Sequence, residues 1–350
     1  MTETAKILRR GWTTGACATA ATKAALMALW GEGFPERVRI ILPKGERPNF
    51  AIAHHARGAD WAEAGIIKDA GDDPDVTHGA LIKVQVRASS GGSGGIVFEA
   101  GEGVGTVTRP GLPVEVGDPA INPVPRALMG AVVNEMARRL GHAPDVVIRV
   151  SVPGGEALAA KTWNPRLGIR GGLSILGTTG VVRPFSCAAW IASIHRGVDV
   201  ARAEAQDHVA GCTGATSERV VQALYGLPDF AMLDMGDFAG GMLKYLAKHP
   251  VARVTIGGGI GKITKLAQGA WDLHSKRSQV DFKALAEMAG DPRVVRANTA
   301  LQAFEIVGPP LAKAVAERAL QQVEARFGGE MVFDIVVIDR AGTVLARAGA

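Results

Sequence analysis

Residues 251–268 read VARVTIGGGIGKITKLAQ, an apolar run followed by a glycine-rich turn and then by a segment able to form a helix. Two earlier apolar runs, at residues 208–210 and 230–234, are likewise followed by glycine-containing turns and helical segments. Such alternation of short strands with helices is typical of a parallel sheet with crossover connections. Because parallel strands end at one edge of a sheet, we expect the three turns to line a single crevice.

The first half of the chain has a different pattern. Thr13 and Thr14 can cap a helix over residues 15–29, and a second helix is predicted over residues 125–140. Alternating or β-branched runs bounded by Gly, Pro or Asp predict strands at residues 37–42, 49–53, 61–68, 80–87, 95–99, 105–108 and 145–152. This half is therefore predicted to be strand-rich, hairpin-like and α+β.

Size and composition indicate two globular domains. The chain has 350 residues, of which 47% are hydrophobic and 21% charged. We predict an α/β protein, with an α+β domain over residues 1–170 and a Rossmann-like domain with a mainly parallel sheet over residues 171–350. No apolar stretch reaches the about 20 residues that a membrane span needs, so no membrane association is expected.

The charge distribution and the cysteine content limit which ligands and binding partners are expected for this chain. The formal charge of +5 comes from scattered Lys and Arg, and only 5% of residues are aromatic, so no nucleic-acid partner is expected. Cys17, Cys187 and Cys212 lack the spacing of a disulfide framework or a zinc site, and no metal is expected. The basic start, including Lys6, lacks the apolar centre of a secretory signal, which favours a cytoplasmic protein; homo-oligomer formation is left open.

The glycine-rich turn at residues 257–261 is the main candidate for a cofactor site. Glycine lets a ligand approach bare backbone, and a helix beginning after the turn presents free N–H groups. The turn is not a P-loop, because Ile256 and Ile263 replace its first glycine and its magnesium-binding hydroxyl, and Lys262 breaks the dinucleotide fingerprint. The predicted cofactor-binding residues are Gly257, Gly259 and Gly261, with Gly236 and Asp237 of the preceding turn.

A second glycine triplet occurs at residues 101–105, after an acidic residue, Glu99. This pattern is close to the first motif of ordinary S-adenosylmethionine methyltransferases. However, residues 106–110 continue as a strand and a proline turn, so no helix N-terminus follows the glycines. Residues 101–105 can therefore be interpreted as a tight hairpin turn or as a cofactor loop, and the pattern favours the turn.

Residues 68–79 read KDAGDDPDVTHG and place four aspartates within seven residues. Carboxylates this close repel one another unless donors or cations compensate, and such groups can serve in proton transfer. The candidate catalytic residues are Asp69, Asp72, Asp73 and His78. A solvated Asp-Pro turn is the alternative interpretation.

Three Thr-Gly pairs, at residues 14–15, 179–180 and 213–214, can bind an anion through a hydroxyl and exposed amides. Each pair can equally be a simple helix cap, which is the commoner case.

Several longer blocks carry a resemblance to a known family. They are residues 11–17 (GWTTGAC), 68–79, 103–105, 107–112 (VTRPGL), 164–169 (NPRLGI), 172–180 (GLSILGTTG), 257–269, 274–275 and 298–300 (NTA). With them the chain resembles the cobalt-precorrin-5B C1-methyltransferases of cobalamin biosynthesis, the CbiD family. Trp12, Ala16 and Leu273 depart from the family pattern, which affects packing more than chemistry.

The resemblance implies methylation of carbon 1 of a corrin precursor, with S-adenosylmethionine as methyl donor and a tetrapyrrole as substrate. Because the ring carries many carboxylates, arginines are expected to bind it. The predicted substrate-binding residues are Thr13, Thr14, Arg166, Arg170, Thr178, Thr179, Lys262 and His274, with Arg183 as a further candidate.

Two other classes of function stay open from the residues alone. One is a nucleotide-dependent oxidoreductase of the same pathway, although the Rossmann fingerprint is missing. The other is a non-enzymatic binder, either a tetrapyrrole carrier or an RNA-binding module, although scattered charge predicts weak dependence of RNA affinity on salt.

Overall fold

The computed structural model describes residues 8–89 and 95–349, so Lys6 of the basic N-terminal segment lies outside the described residues. The chain divides into two compact units, Met1–Ser186 (unit 1) and Cys187–Ala350 (unit 2). Both combine helices with sheets, which confirms the prediction of a mixed α and β protein.

Unit 1 follows the predicted order of elements closely. Its elements are β1 (Gly11–Trp12), α1 (Thr14–Leu29), β2 (Arg37–Arg39), β3 (Asn49–Ala51), β4 (His54–Arg57), β5 (Trp61–Ile67), β6 (Leu81–Ala88), β7 (Ile96–Ala100), β8 (Thr106–Val107), α2 (Pro123–Leu140), β9 (Val146–Ser151), α3 (Gly155–Ala159), β10 (Ile169–Arg170) and β11 (Val181–Val182).

The main sheet of unit 1 has the order β4-β5-β6-β9-β7. The consecutive strands β4, β5 and β6 pair antiparallel, in agreement with the predicted hairpin-like pattern, whereas β9 pairs antiparallel with β6 across a long connection. Strand β7 instead pairs parallel with β9, with Phe98 opposite Ile148. It reaches this position because helix α2 separates β7 from β9 in the sequence and allows a crossover connection.

Helix α1 forms the centre of the unit 1 core. The side chain of Thr13 accepts the Ala16 N–H and caps the helix, as the sequence predicts. Alanines dominate the helix and are buried, and their small side chains allow close packing against α2, β5 and β6.

Residues 171–186, which are predicted to belong to the second domain, lie in unit 1. Strand β11 pairs with β1, with Gly11 opposite Val182. Leu173 and Ile175 are buried in the same core as α1. These long-range contacts place the segment with the first half of the chain.

Unit 2 contains α4 (Cys187–Ala203), β12 (His208–Cys212), α5 (Ala215–Tyr225), β13 (Met232–Leu233), α6 (Ala239–Leu246), β14 (Arg253–Gly258), α7 (Ile260–Ala267), α8 (Phe282–Ala289), α9 (Ala300–Val307), α10 (Pro309–Phe327), β15 (Val332–Ile338) and β16 (Val344–Ala348), with 3-10 turns at Asp229–Ala231 and Pro292–Arg296. Its sheet has the order β13-β12-β14-β15-β16. The pairs β12–β13, β12–β14 and β14–β15 are parallel, and β16 is antiparallel to β15.

The register of this sheet brings the strand ends together. Cys212 lies opposite Gly257, and Gly211 lies opposite Leu233. The segments that follow β12, β13 and β14 therefore share one edge, which we call the carboxyl edge (residues 213–214, 234–238 and 259–261). Residues 259–261 are the N-cap and the first two residues of α7. Among residues 8–89 and 95–349, no helix combines the length and apolarity required to cross a membrane.

Candidate functional site

The aspartate loop (residues 68–79) joins β5 to β6 in unit 1. The Lys68 N–H donates to the Ala80 carbonyl at 2.9 Å, and the Gly79 N–H donates to the Lys68 carbonyl at 2.8 Å. The loop lies against β1: the Trp12 N–H donates to the Asp69 carbonyl at 2.7 Å. The start of helix α1 and the four aspartates are therefore neighbours.

Arg9 holds one side of the aspartate loop. Its guanidinium pairs with both oxygens of Asp69, and its backbone N–H donates to Asp72 Oδ2 at 2.8 Å. The Arg9 guanidinium, with help from the Gly71 N–H, lowers the pKa of Asp69 to about 2. A carboxylate with so low a pKa is a weak proton acceptor near neutral pH.

The other predicted acids have distinct partners. Asp73 Oδ1 accepts the Phe185 N–H at 2.8 Å. The exposed His78 ring accepts the Ala70 N–H through Nδ1 at 3.1 Å, so the neutral ring carries its proton on Nε2. Asp72 is exposed, which makes it the most accessible of the three aspartates predicted to be catalytic.

The predicted threonines divide into buried and accessible pairs. Thr13 and Thr14 are buried; Thr13 caps α1, and the Thr14 hydroxyl accepts the Leu176 N–H at 3.0 Å. The Thr14 hydroxyl thus holds the turn at residues 176–180 against the helix, and the Thr13 N–H donates to the Gly180 carbonyl at 3.0 Å. Thr178 is exposed and Thr179 half-buried, so a ligand can reach them more readily.

The predicted arginines lie in the part of unit 1 that follows α3, with Arg170 at the end of β10. Arg166 is half-buried, with its guanidinium carbon 4.4 Å from the centre of the Trp163 ring. Arg170 and Arg183 are exposed. Each of the three carries a guanidinium group of the kind that binds carboxylates.

The glycine triplet at residues 101–105 forms a compact turn packed against its own unit. A Cβ on Gly103 would lie 2.0 Å from the Val152 carbonyl oxygen, and one on Gly105 would lie 2.5 Å from Ile169 Cγ2. The short strand β8 follows, not a helix. Close contacts within the protein therefore account for these glycines without a ligand.

Gly257 and Gly258, at the end of β14, are also required by packing. A Cβ on Gly257 would lie 2.6 Å from Val221 Cγ2, and one on Gly258 would lie 2.7 Å from Thr213 Oγ1. These two glycines allow α5 and the turn after β12 to approach β14.

Gly259 and Gly261 differ from them. A Cβ on Gly259 would meet nothing nearer than the Ile338 carbonyl oxygen at 3.8 Å, and one on Gly261 nothing nearer than Ala300 Cβ at 3.9 Å. Packing does not require glycine at either position. Because Gly259 caps α7, this open space lies beside a helix N-terminus, where backbone N–H groups are available.

Lys262 connects two loops at the carboxyl edge. Its ammonium pairs with Asp237 and donates to the Leu273 carbonyl at 3.1 Å. His274 follows, half-buried, with Nδ1 accepting the Lys276 N–H at 3.2 Å. The predicted residues Asp237, Lys262 and His274 are therefore close to one another.

Trp190, at the start of α4, adds an aromatic surface to the carboxyl edge. Its indole N–H donates to the Asp234 carbonyl at 2.8 Å, and a Cβ on Gly236 would lie 3.4 Å from its ring. Phe238 packs beside it with ring centres 6.1 Å apart. The indole is nevertheless 47% exposed, so it offers a surface to a ligand.

Four side chains at these sites were not predicted from the sequence to have a role: Arg9, Lys68, Trp190 and Lys265. Lys68 lies directly before the aspartate run, which is the only sequence signal among them. Lys265 is buried and donates to the Leu273 carbonyl at 3.0 Å; burial, together with the nearby Lys262 ammonium, lowers its pKa.

The candidate residues form two groups that suit different ligands: the aspartate loop, threonines and arginines of unit 1, and the residues at the carboxyl edge of unit 2. The unit 1 group combines accessible carboxylate, imidazole and guanidinium groups, which can bind an anionic substrate and transfer protons. The unit 2 group combines open backbone at a helix N-terminus with an indole and a carboxylate, which can bind a nucleoside-containing cofactor.

Comparison with known proteins gives consistent matches. The family model CbiD matches residues 1–184, and the model "CbiD, C-terminal domain" matches residues 272–349. A Brucella anthropi protein named cobalt-precorrin-5B C(1)-methyltransferase is 59% identical over 97% of this chain and 95% of its own length. A Brucella canis protein of the same name is 58% identical with the same coverage.

Among solved structures, the cobalamin biosynthesis protein (cbiD) from Archaeoglobus fulgidus is 28% identical, with a TM-score of 0.42, and the match covers 77% of this chain and 83% of that one. The CbiD family model spans more than half of the chain, and the Brucella relatives match nearly all of it. The chain therefore belongs to the CbiD family.

Proposed function

We propose that this protein methylates carbon 1 of cobalt-precorrin-5B to give cobalt-precorrin-6A, as a cytoplasmic enzyme of cobalamin biosynthesis. The observation that carries the proposal is the near full-length identity of 59% to a relative of that name. We propose S-adenosylmethionine as the methyl donor, since a C-methyltransferase needs a donor with an activated methyl group.

The carboxyl edge of unit 2 is the proposed cofactor site. We propose that unit 2 is a Rossmann-like, doubly wound domain, because its order β13-β12-β14-β15 is that of flavodoxin-like sheets. In such sheets the order reverses beside the first strand, and ligands bind outside the strand ends at that point. Here this point lies between the turn at residues 213–214 and the start of α7 at residues 259–261.

The open backbone supports the same placement. Gly259 and Gly261 leave space that packing does not fill, and a ligand can approach the N–H groups of α7 there. Asp237 offers a carboxylate to the ribose hydroxyls. Trp190 offers its exposed ring to the adenine, and Lys262 offers an ammonium to the carboxylate of the methionine part.

The substrate is assigned to unit 1. Arg166, Arg170 and Arg183 supply cationic groups for the ring carboxylates, and Thr178 and Thr179 supply hydroxyls. Thr13 and Thr14 are assigned a supporting role and no direct contact with the substrate, because their hydroxyls accept backbone N–H groups within the protein.

Methyl transfer requires a ring carbon in line with the methyl–sulfur bond, and positioning alone can contribute roughly 7 to 11 kcal/mol. A proton acceptor increases the nucleophilicity of the ring. We assign this role to Asp72, with His78 nearby, because Asp72 is exposed while the pKa of Asp69 is held at about 2 by Arg9. Asp69 is assigned to holding the loop through its pair with Arg9.

Isotope transfer tests the function. The purified protein is incubated with cobalt-precorrin-5B and S-adenosylmethionine whose methyl group carries deuterium. We expect one labelled methyl group on each product ring, attached to carbon 1, and one S-adenosylhomocysteine formed with it. An unlabelled ring after binding of both compounds has been verified would contradict the assignment.

Substitution of Trp190 tests the cofactor site. We expect Trp190→Ala to weaken S-adenosylhomocysteine binding about tenfold, because base–aromatic stacking contributes about 1–3 kcal/mol. Trp190→Phe should lose much less. Trp163→Phe, in unit 1, is the matched control and should bind the compound normally; calorimetric titration of the three variants decides. Equal affinity in Trp190→Ala and the wild type would remove the indole from the site.

A further inference from the structure

Phe185 has an unusual backbone conformation. Its φ is +55°, and among the described residues Ala205 (φ +54°) is the other non-glycine residue with a positive φ. Left-handed backbone is unfavourable for residues with a Cβ, most clearly for bulky ones. The Phe185 side chain is also 67% exposed, so burial of the ring does not compensate.

The aspartate loop supports this conformation. Asp73 Oδ1 accepts the Phe185 N–H at 2.8 Å, across 112 residues of sequence. Phe185 follows Pro184, whose ring fixes φ, and lies shortly after β11, which is paired to β1. The backbone of Phe185 is therefore held from both sides, while its ring faces solvent.

A strained residue that packing does not explain is a reason to look for a function at that position. A nearby side chain in the sequence has the character expected of a substrate surface: Arg183, two residues earlier, is exposed. A macrocycle with apolar faces and peripheral carboxylates needs apolar contact for its face and cations for its edge.

We propose that the Phe185 ring is a contact surface for the tetrapyrrole macrocycle, and that Asp73 is a positioning residue that holds Phe185 for this contact. The inference rests on the proposed function, because it takes cobalt-precorrin-5B as the ligand. The proposal gives the two adjacent aspartates different roles. Asp73 holds the backbone of Phe185, whereas Asp72 serves in proton transfer.

Phe185→Gly is the first test, because glycine adopts positive φ freely and removes the ring. We expect KM for cobalt-precorrin-5B to rise about tenfold, with kcat within about threefold of the wild type and S-adenosylhomocysteine affinity unchanged. The melting temperature should be no lower than that of the wild type. Ala205→Gly relieves the same backbone conformation without loss of a ring, so it should keep wild-type KM and serve as the matched control.

Asp73→Asn and Asp73→Ala separate positioning from proton transfer. The Asn amide oxygen can still accept the Phe185 N–H, so Asp73→Asn should retain kcat and KM within about threefold. Asp73→Ala removes the acceptor and should raise KM as Phe185→Gly does. If Asp73 were the proton acceptor, Asp73→Asn would instead reduce kcat by about 10² to 10⁴, and that result would overturn the positioning role.

The outcome for the wild type distinguishes the two proposals. If the wild-type protein does not methylate cobalt-precorrin-5B, the proposed function fails before any variant is compared. If the wild type is active and Phe185→Gly retains its KM and its absorbance titration with cobalt-precorrin-5B, then the function stands and the Phe185 contact is wrong. A fall in melting temperature with unchanged KM would likewise assign Phe185 to folding alone.

Discussion

Lys68→Met is expected to destabilise unit 1 by about 3 kcal/mol and to lower its melting temperature by roughly 6–12 °C. Lys68 is only 1% exposed, and its ammonium pairs with Asp75. Burial alone would raise the pKa of Asp75, but the Lys68 ammonium and the Thr77 donors outweigh it and lower that pKa. Removal of the ammonium leaves a partly buried carboxylate without its cation.

The expected loss of stability is at the lower end of the range found when one partner of a buried ion pair is removed. The reason is that the Asp75 side chain is 25% exposed, so water screens its charge. The double variant Lys68→Met with Asp75→Asn should recover part of the stability. Lys313→Met is the control: that lysine is 72% exposed, and its pair with Glu317 should contribute less than about 1 kcal/mol. Thermal melts that show equal losses for Lys68→Met and Lys313→Met would contradict this account.

Gly11→Ala should reduce kcat by about 10² or more, because it displaces the aspartate loop. A Cβ on Gly11 would lie 2.0 Å from the Ala70 carbonyl carbon and 2.4 Å from the Gly71 nitrogen. Both are backbone atoms, so the loop itself must move, and a displacement of about 1 Å can cost about 10² in rate.

The same variant should bind S-adenosylhomocysteine normally, since the carboxyl edge lies in unit 2. Gly95→Ala is the control, because a Cβ there meets no atom within 4 Å. Steady-state kinetics of both variants provide the comparison. Wild-type turnover by a folded Gly11→Ala variant would show that the position of the aspartate loop is unimportant to the reaction.

Local sequence patterns predict those helices and strands that are determined by interactions between residues close together in the sequence. Helix α1 begins where Thr13 caps it, and β14 leads into a helix as expected. The predicted turn at residues 257–261 is shorter than expected, because Gly257 and Gly258 belong to β14 and Gly261 to α7. The parallel pairing of β7 with β9 was not predicted, because strands separated by a helix leave no local signal of their partner. Residues 171–186 were assigned to the second domain for a similar reason, since their partners β1 and α1 are distant in sequence.

In the candidate site, too, the sequence identifies the motifs but not the tertiary partners of their residues. The aspartate run was identifiable from its charge density, but its tertiary partners Arg9 and Phe185 were not. The glycine turn was identifiable too, yet only the geometry separates Gly257, which packing requires, from Gly259, which packing leaves open. Contacts between residues far apart in sequence therefore decide which members of a motif are available to a ligand.

Calorimetric titration with S-adenosylhomocysteine is the direct test of the proposal that S-adenosylmethionine binds at the start of α7, beside residues 259–261. We expect saturable one-to-one binding to the wild type and loss of binding in Gly259→Val, whose side chain would fill the open space beside α7. The melting temperature of the variant must stay close to that of the wild type. Wild-type affinity in a folded Gly259→Val variant would contradict the placement of the cofactor at this edge.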